Sequence, residues 1–442
     1  MTDGSTEGQQ ELIAKHERAA APPEDKTTAL VLPPRPRTEV ADADARPRVV
    51  LLGAGETSKE LAIALSRLGA EVIVVDSYPD APAHWVADQS LVVDMTDADE
   101  LSAAIREVQP EFVTTLADAV SVAALDTLAT AASGDEFAEL VPGARGVRIS
   151  TDREGLRRLA ADELGLPTAP FWFAGSVDEL QAVAAHAGFP LLVRPVAGAA
   201  GQGHSVVSGP DELDAAWQRA AGSGAGSQRV LAETVVEVQF EITLLAVRSD
   251  SPKGPVIDFC APIGHRSADG EVLESWQPQQ MSTAALDAAK SIAARIIKAL
   301  GGCGVFGVEL LINGDEVYFA DVSVSPRESA WVTLRSQRLS AFELQARVIL
   351  GLPVDTVMVS PGAARVIKPP DESKGESPSA EALTAALGVP ESDVRVFARA
   401  AGSEPAHAKR ELGVVLATGP DLAKARERAR EVAIGLTGRR QP

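Results

Sequence analysis

The sequence predicts an α/β and α+β fold whose N-terminal part is a doubly wound parallel sheet, and three observations predict it. Residues 48–75 consist of a buried apolar strand, the glycine turn Gly53-Ala54-Gly55, an amphipathic helix and a second apolar strand. This order makes a βαβ unit, whose strands are parallel and whose crossover is right-handed. Strands and helices keep alternating as far as Gly146. Later segments mix helices with strands and include a predicted hairpin at 306–321.

Each element has its own signal, which is helical spacing of apolar residues for helices and short apolar runs for strands. In the first part, helices are predicted at 59–68, 97–108 and 119–132, and strands at 49–52, 71–75, 90–93 and 112–115. Further along, helices are predicted at 153–164, 210–221, 284–300, 341–350 and 420–436, and strands at 191–195, 229–233, 240–247, 364–367, 393–397 and 412–417. Residues 221–228, rich in Gly and Ser, predict a hairpin tip.

Composition excludes several classes of partner. The 442 residues are enough for two or three domains, and 45% hydrophobic residues are ordinary for a globular chain. A formal net charge of -21 argues against nucleic acid or an anionic membrane surface as the main partner. The only two cysteines, Cys260 and Cys303, have no CxxC spacing and predict reduced, buried thiols in a cytoplasmic protein.

The first 47 residues are rich in Ala, Pro, Glu, Asp and Thr and predict a disordered tail. They contain no apolar segment of the kind that a secretory signal needs. No run of about eighteen apolar residues occurs in the chain, so no transmembrane helix is expected.

The predicted hairpin carries a carboxylate on each strand, Glu309 and Asp321. Magnesium bound to a nucleotide takes one or two protein carboxylates, so this pair is a candidate metal site. A three- or five-residue connection centred on Asp315 places the two residues opposite each other, whereas a two-residue turn at Asn313-Gly314 places them on opposite faces. From this stretch alone, a metal site and two solvent-facing polar positions are equally open.

Two glycine-rich turns allow a functional and a structural interpretation. Gly53-Ala54-Gly55 lacks the third glycine of a dinucleotide-binding fingerprint, so close packing of strand and helix is the favoured interpretation over an NAD-dependent enzyme. The loop at 196–204 contains three glycines, whose backbone N–H groups are able to surround a phosphate. Small side chains also suit an ordinary turn.

Two long strings make the prediction narrower: FCAPIGHR at 259–266 and ESWQPQQMS at 274–282. Shorter strings accompany them, VDSYPDAP at 75–82, DREGLRRLA at 152–160, FEITLL at 240–245 and GVEL at 307–310. Together they resemble the formate-dependent phosphoribosylglycinamide formyltransferases, which are ATP-grasp enzymes of purine synthesis. The resemblance covers about residues 48–435.

The resemblance implies a domain organisation. A Rossmann-like pre-ATP-grasp domain would occupy 48–148, a two-lobed ATP-grasp domain 149–355, and a small β-rich C-terminal domain 356–442, after the tail at 1–47.

It also implies a reaction. ATP, with Mg²⁺, phosphorylates formate to formyl phosphate, and the amine of phosphoribosylglycinamide takes the formyl group. A homodimer in the cytoplasm is expected by the same resemblance. Two alternatives stay open, a related enzyme that acylates a different amine and a nucleotide-binding protein without catalysis.

The resemblance assigns site residues by position. Glu233 and Val236 would contact adenine through backbone groups, and Glu241 would contact the ribose. The full ATP-binding set is Arg153, Arg194, Ala199, Ala200, Gly201, Gln202, Gly203, His204, Glu233, Thr234, Val235, Val236 and Glu241. The metal ligands would be Glu309 and Asp321, the catalytic residues Arg194 and Arg327, and the substrate-binding residues Glu56, Thr57, Glu328, Arg399 and Arg410.

The phosphate-binding positions depart from the family pattern. Arg194 and Gln202 stand where the family has lysines, and Ser325 stands where it has an arginine. Arginine binds phosphate in bidentate fashion, so Arg194 is expected to keep that role. Arg327, two residues after Ser325, has the same side-chain parity on an extended strand and is expected to compensate.

The acceptor site departs further. Thr57, Leu116 and Glu411 replace a leucine, a glutamate and an arginine of the family, and Glu328 replaces an aspartate. Several changes around one substrate indicate altered specificity.

Overall fold

The computed structural model describes residues 46–117, 119–131, 138–196, 203–223, 229–268, 271–368, 377–397 and 411–438. The predicted tail at 1–47 lies almost wholly outside these residues, as do the loop positions Ala199, Ala200, Gly201 and Gln202 and the substrate candidates Arg399 and Arg410.

The N-terminal part is a parallel sheet with helices packed around it. Its elements are β1 (Arg48–Leu52), α1 (Glu56–Arg67), β2 (Glu71–Asp76), β3 (Gln89–Val92), α2 (Ala98–Val108), β4 (Phe112–Thr115), α3 (Val122–Ala131), β5 (Glu139–Leu140) and α4 (Ala144–Thr151). The strand order is β3-β2-β1-β4-β5, and every pair is parallel. The doubly wound sheet is therefore confirmed, and its order reverses direction between β1 and β4.

The glycine turn after β1 has a packing cause. Gly53 has φ +94°, and a Cβ on it would lie 2.9 Å from the backbone nitrogen of Ala117. Only glycine lets the turn after β1 come this close to the chain leaving β4. A structural cause was predicted for Gly53, but the close neighbour is the chain after β4 and not the following helix.

A second, smaller sheet follows. Its elements are α5 (Arg153–Arg158), β6 (Phe171–Ala174), α6 (Val177–Ala187), β7 (Leu191–Pro195), β8 (Ser205–Val207), α7 (Leu213–Ser223) and β9 (Val230–Thr234). The antiparallel strand order is β6-β9-β7-β8. Two predictions are corrected here. The helix predicted at 153–164 changes to a π-helical turn at Leu159–Glu163. The hairpin tip predicted at 221–228 begins inside α7.

The third sheet is the largest in the described residues. Its elements are β10 (Phe240–Ser251), β11 (Gly254–Phe259), β12 (Ile263–Ala268), β13 (Glu271–Gln277), α8 (Thr283–Leu300), β14 (Gly304–Asn313), β15 (Glu316–Ser323), α9 (Thr333–Ser336), α10 (Ala341–Ile349), β16 (Gly362–Ile367), α11 (Ala380–Leu387), β17 (Ser392–Val396), β18 (Gly413–Thr418) and α12 (Leu422–Thr437). The order is β15-β14-β10-β12-β13-β16-β18-β17, with β11 on β10. The C-terminal strands therefore extend the sheet of the central part through the β13–β16 pair.

The core joins these parts. One apolar cluster unites β1, β2 and β4 with α8, β10, β14 and β15, and another unites α1 with α10 and the C-terminal strands. Trp331 is fully buried in the second cluster, with its ring centroid 5.2 Å from those of Phe342 and Phe397. Cys260 is buried and Cys303 half-buried, and both thiols are free.

A buried carboxylate ties α12 to the large sheet. Glu274, on β13, is 1% exposed, and its oxygens lie 2.9 and 3.2 Å from Nε and Nη2 of Arg426. Arg365, the cross-strand neighbour of Glu274, donates to it over 3.4 Å. The Arg426 guanidinium also covers the Trp276 ring at 3.9 Å. Burial by itself raises the pKa of Glu274, but the hydrogen bond and charge of Arg426, with the charge of Arg365, bring it below its ordinary value.

Glu274→Gln is expected to lower the free energy of unfolding at pH 7 by about 3 kcal/mol, because a buried ion pair loses one partner. The depressed folded-state pKa makes this stabilisation complete above the unfolded pKa of about 4.3 and removes it as the pH falls through the folded pKa. Urea unfolding at several pH values checks this. The difference in the free energy of unfolding between wild type and variant should be largest at pH 7 and should shrink below about pH 4. Glu427→Gln, which removes an exposed pair with Lys424 on the same helix, is the control. A gap independent of pH would contradict the prediction.

Candidate active site

In the carboxylate hairpin, Glu309 and Asp321 lie opposite each other, as a metal site needs. The pairing depends on a β-bulge that the sequence does not predict. Asn313 pairs with Glu316, so the connection is the two-residue turn Gly314-Asp315. Between Leu310 and Glu309 the register shifts by one residue, which leaves Ala320 as a β-bulge. Because of this bulge, Glu309 lies directly opposite Asp321, and both side chains face the same side of the sheet.

Glu309 is held by hydrogen bonds at both oxygens. Oε1 accepts from Thr243 Oγ1 over 2.9 Å, and Oε2 lies 3.0 Å from His265 Nε2. Thr243 Oγ1 also lies 2.8 Å from Ser329 Oγ. Burial lowers the pKa of His265, but the charge and hydrogen bond of Glu309 outweigh it and raise that pKa. These contacts give the Glu309 carboxylate one orientation.

The ribose candidate lies on the same face of the large sheet. Glu241 pairs with His265 across β10 and β12, and Thr243, two residues along β10, pairs with Glu309. Side chains two residues apart on one strand project from the same face. Glu241, Glu309 and their common neighbour His265 therefore form one polar surface.

A buried ion-pair cluster lies in the smaller sheet. Arg194 on β7 and Glu233 on β9 are diagonal neighbours, because Arg194 pairs with Leu231. Arg194 Nη2 lies 2.6 Å from Glu233 Oε2, and Arg157 Nη2 lies 2.6 Å from Glu233 Oε1. The Glu233 side chain is 5% exposed. Its carboxylate is thus occupied by two guanidinium groups.

Glu233 and Val236 were predicted to contact adenine through backbone groups, and Thr234 and Val235 lie between them. The backbone N–H groups of Thr234 and Val235 donate to Pro170 O over 2.9 Å and to Pro190 O over 3.1 Å. Val236 is half-buried. The protein's own hydrogen bonds therefore engage the backbone nitrogens of the two residues between the predicted adenine contacts.

His204 and Arg153 lie at the end of the glycine loop. Arg153 Nη1 donates to Pro195 O over 3.1 Å. Burial, and then the charges of Arg194 and Arg153, lower the pKa of His204 to about 4. At neutral pH His204 is therefore uncharged. Gly203 precedes it with φ +72°, a left-handed conformation that favours glycine.

Several buried nitrogen atoms in this region fit an anionic ligand. Among the described residues of this region, Nε of Arg157, Nε of Arg194, Nε2 of His204 and Oε1 of Glu233 are buried without a hydrogen-bond partner. Buried polar atoms are normally paired, so such a group indicates a ligand position. The arginine charges suit a polyphosphate.

The donor set of the hairpin suits magnesium. Within the part of the chain that the structure describes, no group of three or more His, Cys, Asp or Glu side chains is arranged to hold a metal. Magnesium bound with a nucleotide needs only one or two carboxylates, because phosphates and waters complete its octahedron. Glu309 and Asp321 fit that requirement.

Three family models match the chain. They are the ribonucleotide synthetase preATP-grasp domain at residues 47–150, the ATP-grasp domain at 159–342, and the C-terminal PurT domain at 362–435. Formate-dependent phosphoribosylglycinamide formyltransferase of Corynebacterium glutamicum (strain R) is 47% identical over 392 residues, which are 88% of this chain and 94% of that protein. That of Paraburkholderia xenovorans is 46% identical over 89% of this chain and 96% of that protein. The chain belongs to this family of formyltransferases.

Solved structures agree with the family assignment. The structure of glycinamide-RNase-transformylase T from Mycobacterium tuberculosis is 63% identical, with a TM-score of 0.74 over 88% of this chain and all of that one. N5-carboxyaminoimidazole ribonucleotide synthetase from Thermus thermophilus, at 24% identity and TM-score 0.74, covers 88% of this chain and 98% of its own and shares the fold. Of the helices formed by the described residues, none has the length and apolar character that crossing a bilayer needs.

The residues predicted to bind the acceptor lie in two regions among the described residues, one at the N-terminal sheet and one after β15. Glu56 and Thr57 begin α1 at the carboxyl end of β1, and Leu116 follows β4. In doubly wound sheets, ligands bind where the strand order reverses, which here is between these two strands. Glu328 begins the 3₁₀ turn Glu328–Val332 after β15.

The parity argument for Arg327 was wrong. Strand β15 ends at Ser323, and a bend follows, so the alternation of side chains along a strand does not extend to Arg327. Ser325 is 4% exposed, and its carbonyl accepts from Ser323 Oγ. A role for Arg327 has to rest on its position before the 3₁₀ turn.

Sequence reasoning missed three contacting residues, His265, Thr243 and Arg157. His265 lies within the string at 259–266, so a family resemblance alone does not single it out. Arg157 follows Arg153 by four residues and therefore shares its helix face, which is a signal that was available.

His265→Phe is expected to weaken metal binding about tenfold, because Glu309 loses the hydrogen bond that orients it. His265→Gln, which keeps a side-chain N–H donor, should restore most of that affinity. A Mn²⁺ titration followed by electron paramagnetic resonance measures both. His186→Phe, at an exposed position on α6, is the control. Equal affinities in His265→Phe and wild type would show that the contact has no orienting effect.

Proposed function

We propose that this chain activates formate with ATP and transfers the formyl group to the amine of phosphoribosylglycinamide, a step of purine biosynthesis. The observation that carries the proposal is the juxtaposition of Glu309 and Asp321 on the large sheet, in a chain of this family. The buried guanidinium group of Arg194 supplies positive charge for the phosphates.

The chemistry needs positioning and charge rather than a protein nucleophile. A formate oxygen attacks the γ-phosphorus of ATP, the bond to the ADP oxygen breaks, and formyl phosphate forms. The acceptor nitrogen then attacks the formyl carbon, phosphate leaves, and the nitrogen loses a proton. Magnesium, when bound, neutralises phosphate charge that would repel formate.

Each residue has a distinct proposed role. Arg194 and Arg153 bind phosphate oxygens, and neutral His204 offers a hydrogen bond without adding charge. The loop Ala199–His204 surrounds the phosphates, Glu233–Val236 borders the adenine, and Glu241 contacts the ribose. Arg327 is proposed to stabilise charge during phosphoryl transfer.

The acceptor positions are proposed to be Glu56, Thr57, Glu328, Arg399 and Arg410. A different amine acceptor is the second candidate function. Leu116, half-buried and packed on the apolar cluster, stands where the family has a glutamate. An apolar side chain there favours an acceptor with less polarity near its amine.

The decisive experiment incubates pure protein with Mg²⁺, ATP and formate, with and without phosphoribosylglycinamide. ADP and formylated ribonucleotide are measured by chromatography. Formylated product supports the proposal. ADP release that does not depend on the ribonucleotide supports the second candidate, and nucleotide binding without ADP release supports a protein without catalysis.

A homodimer and a cytoplasmic location are proposed with this function, by resemblance to the family. Light scattering coupled to size-exclusion chromatography tests the first. A mass of one chain, 46.1 kDa, would contradict it.

A further inference from the structure

Arg157 is a buried arginine in contact with both sheets that border the ATP site. It lies on α5, and its side chain is 5% exposed. One end of its guanidinium group lies 2.6 Å from Glu233 Oε1 in the smaller sheet, and Nη1 donates to Phe319 O, on β15 of the large sheet, over 3.3 Å. We propose that Arg157 is a positioning residue that orients Arg194 through Glu233 and holds the β15 bulge that places Asp321 opposite Glu309. The inference rests on the proposed ATP and metal site.

Arg157 and Arg194 share one carboxylate, that of Glu233. Glu233 gives one oxygen to Arg157 and the other to Arg194, each at 2.6 Å. The two ion pairs favour one rotation of the carboxylate about its own axis by charge, because Oε1 forms no hydrogen bond. Removing Arg157 frees one oxygen, so Glu233 is able to turn toward Arg194 alone and Arg194 moves with it.

The charges show that the cluster is built for an anion. Two guanidinium groups pair with one carboxylate, so the ion-paired cluster carries one positive charge, which Asp321 offsets only through space. Burial lowers the pKa of Arg157, which Glu233 opposes and Arg194 reinforces, while Asp321 opposes it from the hairpin. An uncompensated buried charge is costly unless a ligand of opposite sign occupies the site. The phosphates of ATP would supply that sign.

Arg157 also contacts the carboxylate hairpin at Phe319. Phe319 immediately precedes the bulged Ala320, and its ring lies 5.9 Å from the Arg157 guanidinium carbon. The chain that follows α5 contacts the same residue. Phe319 N donates to Pro167 O over 2.7 Å, and Thr168 forms an isolated parallel β-bridge with Phe319. Segment 157–168 therefore contacts β15 at three points beside the bulge.

The test compares Arg157→Met and Arg157→Lys with Arg158→Met. Arg158 is the next residue, 58% exposed and paired with Glu154, so it controls for a change on the same helix. Lysine keeps a charge for Glu233 but lacks the fork that reaches Phe319 at the same time. The readouts are KM and kcat with ATP, Mn²⁺ affinity without nucleotide, and the melting temperature.

Arg157→Met is expected to raise KM for ATP about 30-fold and to weaken Mn²⁺ binding, since Glu233 and Phe319 O both lose a charged partner. Arg157→Lys should keep KM within about threefold of wild type while still binding Mn²⁺ more weakly. Arg158→Met should match wild type in all readouts.

A lower melting temperature with unchanged KM and Mn²⁺ affinity per folded molecule would overturn the inference, because burial alone would then explain Arg157. If Arg157→Met does not fold, the Mn²⁺ affinity of Arg157→Lys decides, and a wild-type value overturns the proposal. Wild-type protein that binds neither ATP nor Mn²⁺ would instead refute the proposed function.

Discussion

Glu309→Gln is expected to reduce kcat for ADP release on the order of 10³-fold, because the proposed metal site loses one of its two carboxylate ligands. Glutamine has nearly the same shape, so the hairpin and the Thr243 contact should survive while the negative charge is lost. Steady-state ADP release and Mn²⁺ binding by electron paramagnetic resonance measure the effect. Both should fall together.

The matched control is Glu316→Gln on the same hairpin. Glu316 is exposed at the turn end of the hairpin, four residue pairs along the ladder from Glu309, and accepts from the hydroxyl of Tyr318. It should retain wild-type ADP release. Full activity in Glu309→Gln would refute the metal assignment.

Arg194→Met is expected to raise KM for ATP on the order of 10²-fold, because the site loses the guanidinium group that Glu233 presents to the phosphates. Arg194→Lys, which restores the residue found in the family, should stay within about tenfold of wild type since it keeps the charge and loses only the bidentate geometry. Initial rates over a range of ATP concentrations separate KM from kcat.

Arg229→Met serves as the control for loss of an arginine. Arg229 is 47% exposed, directly precedes β9 and pairs with Glu154. If Arg194→Met and Arg229→Met raise KM equally, general electrostatics rather than direct phosphate binding would account for the change.

Local patterns predicted most elements whose side chains alternate cleanly. The buried strands β1 and β2 and the helices α8 and α12 have strong apolar periodicity, and they were predicted to within a few residues. Strands β12 and β13 were not predicted. They carry polar side chains on both faces, with His265 and Ser275 on one and Arg266 and Glu274 on the other, so no period of two in hydrophobicity exists.

In the candidate site too, some residues were predicted from the sequence and others were not. Glu309, Asp321 and Arg194 were predicted from residue type and resemblance, because metal and phosphate chemistry require carboxylates and cations. Arg157 and His265 act through partners 76 and 44 residues away in the chain, Glu233 and Glu309. The spacing of Arg157 from Arg153 indicates its helix face, but no local pattern indicates these long-range partners.

The sequence by itself determined the alternating βαβ order, the carboxylate hairpin and the family. Only the tertiary structure decided whether Glu309 and Asp321 meet, since that depends on one bulged residue, Ala320, in a strand of otherwise regular pattern. It also decided that Glu233 is shared by Arg157 and Arg194. The physical reason is common to both. Periodicity reports which face a side chain occupies, whereas register and ion pairing are set by packing between segments far apart in the chain.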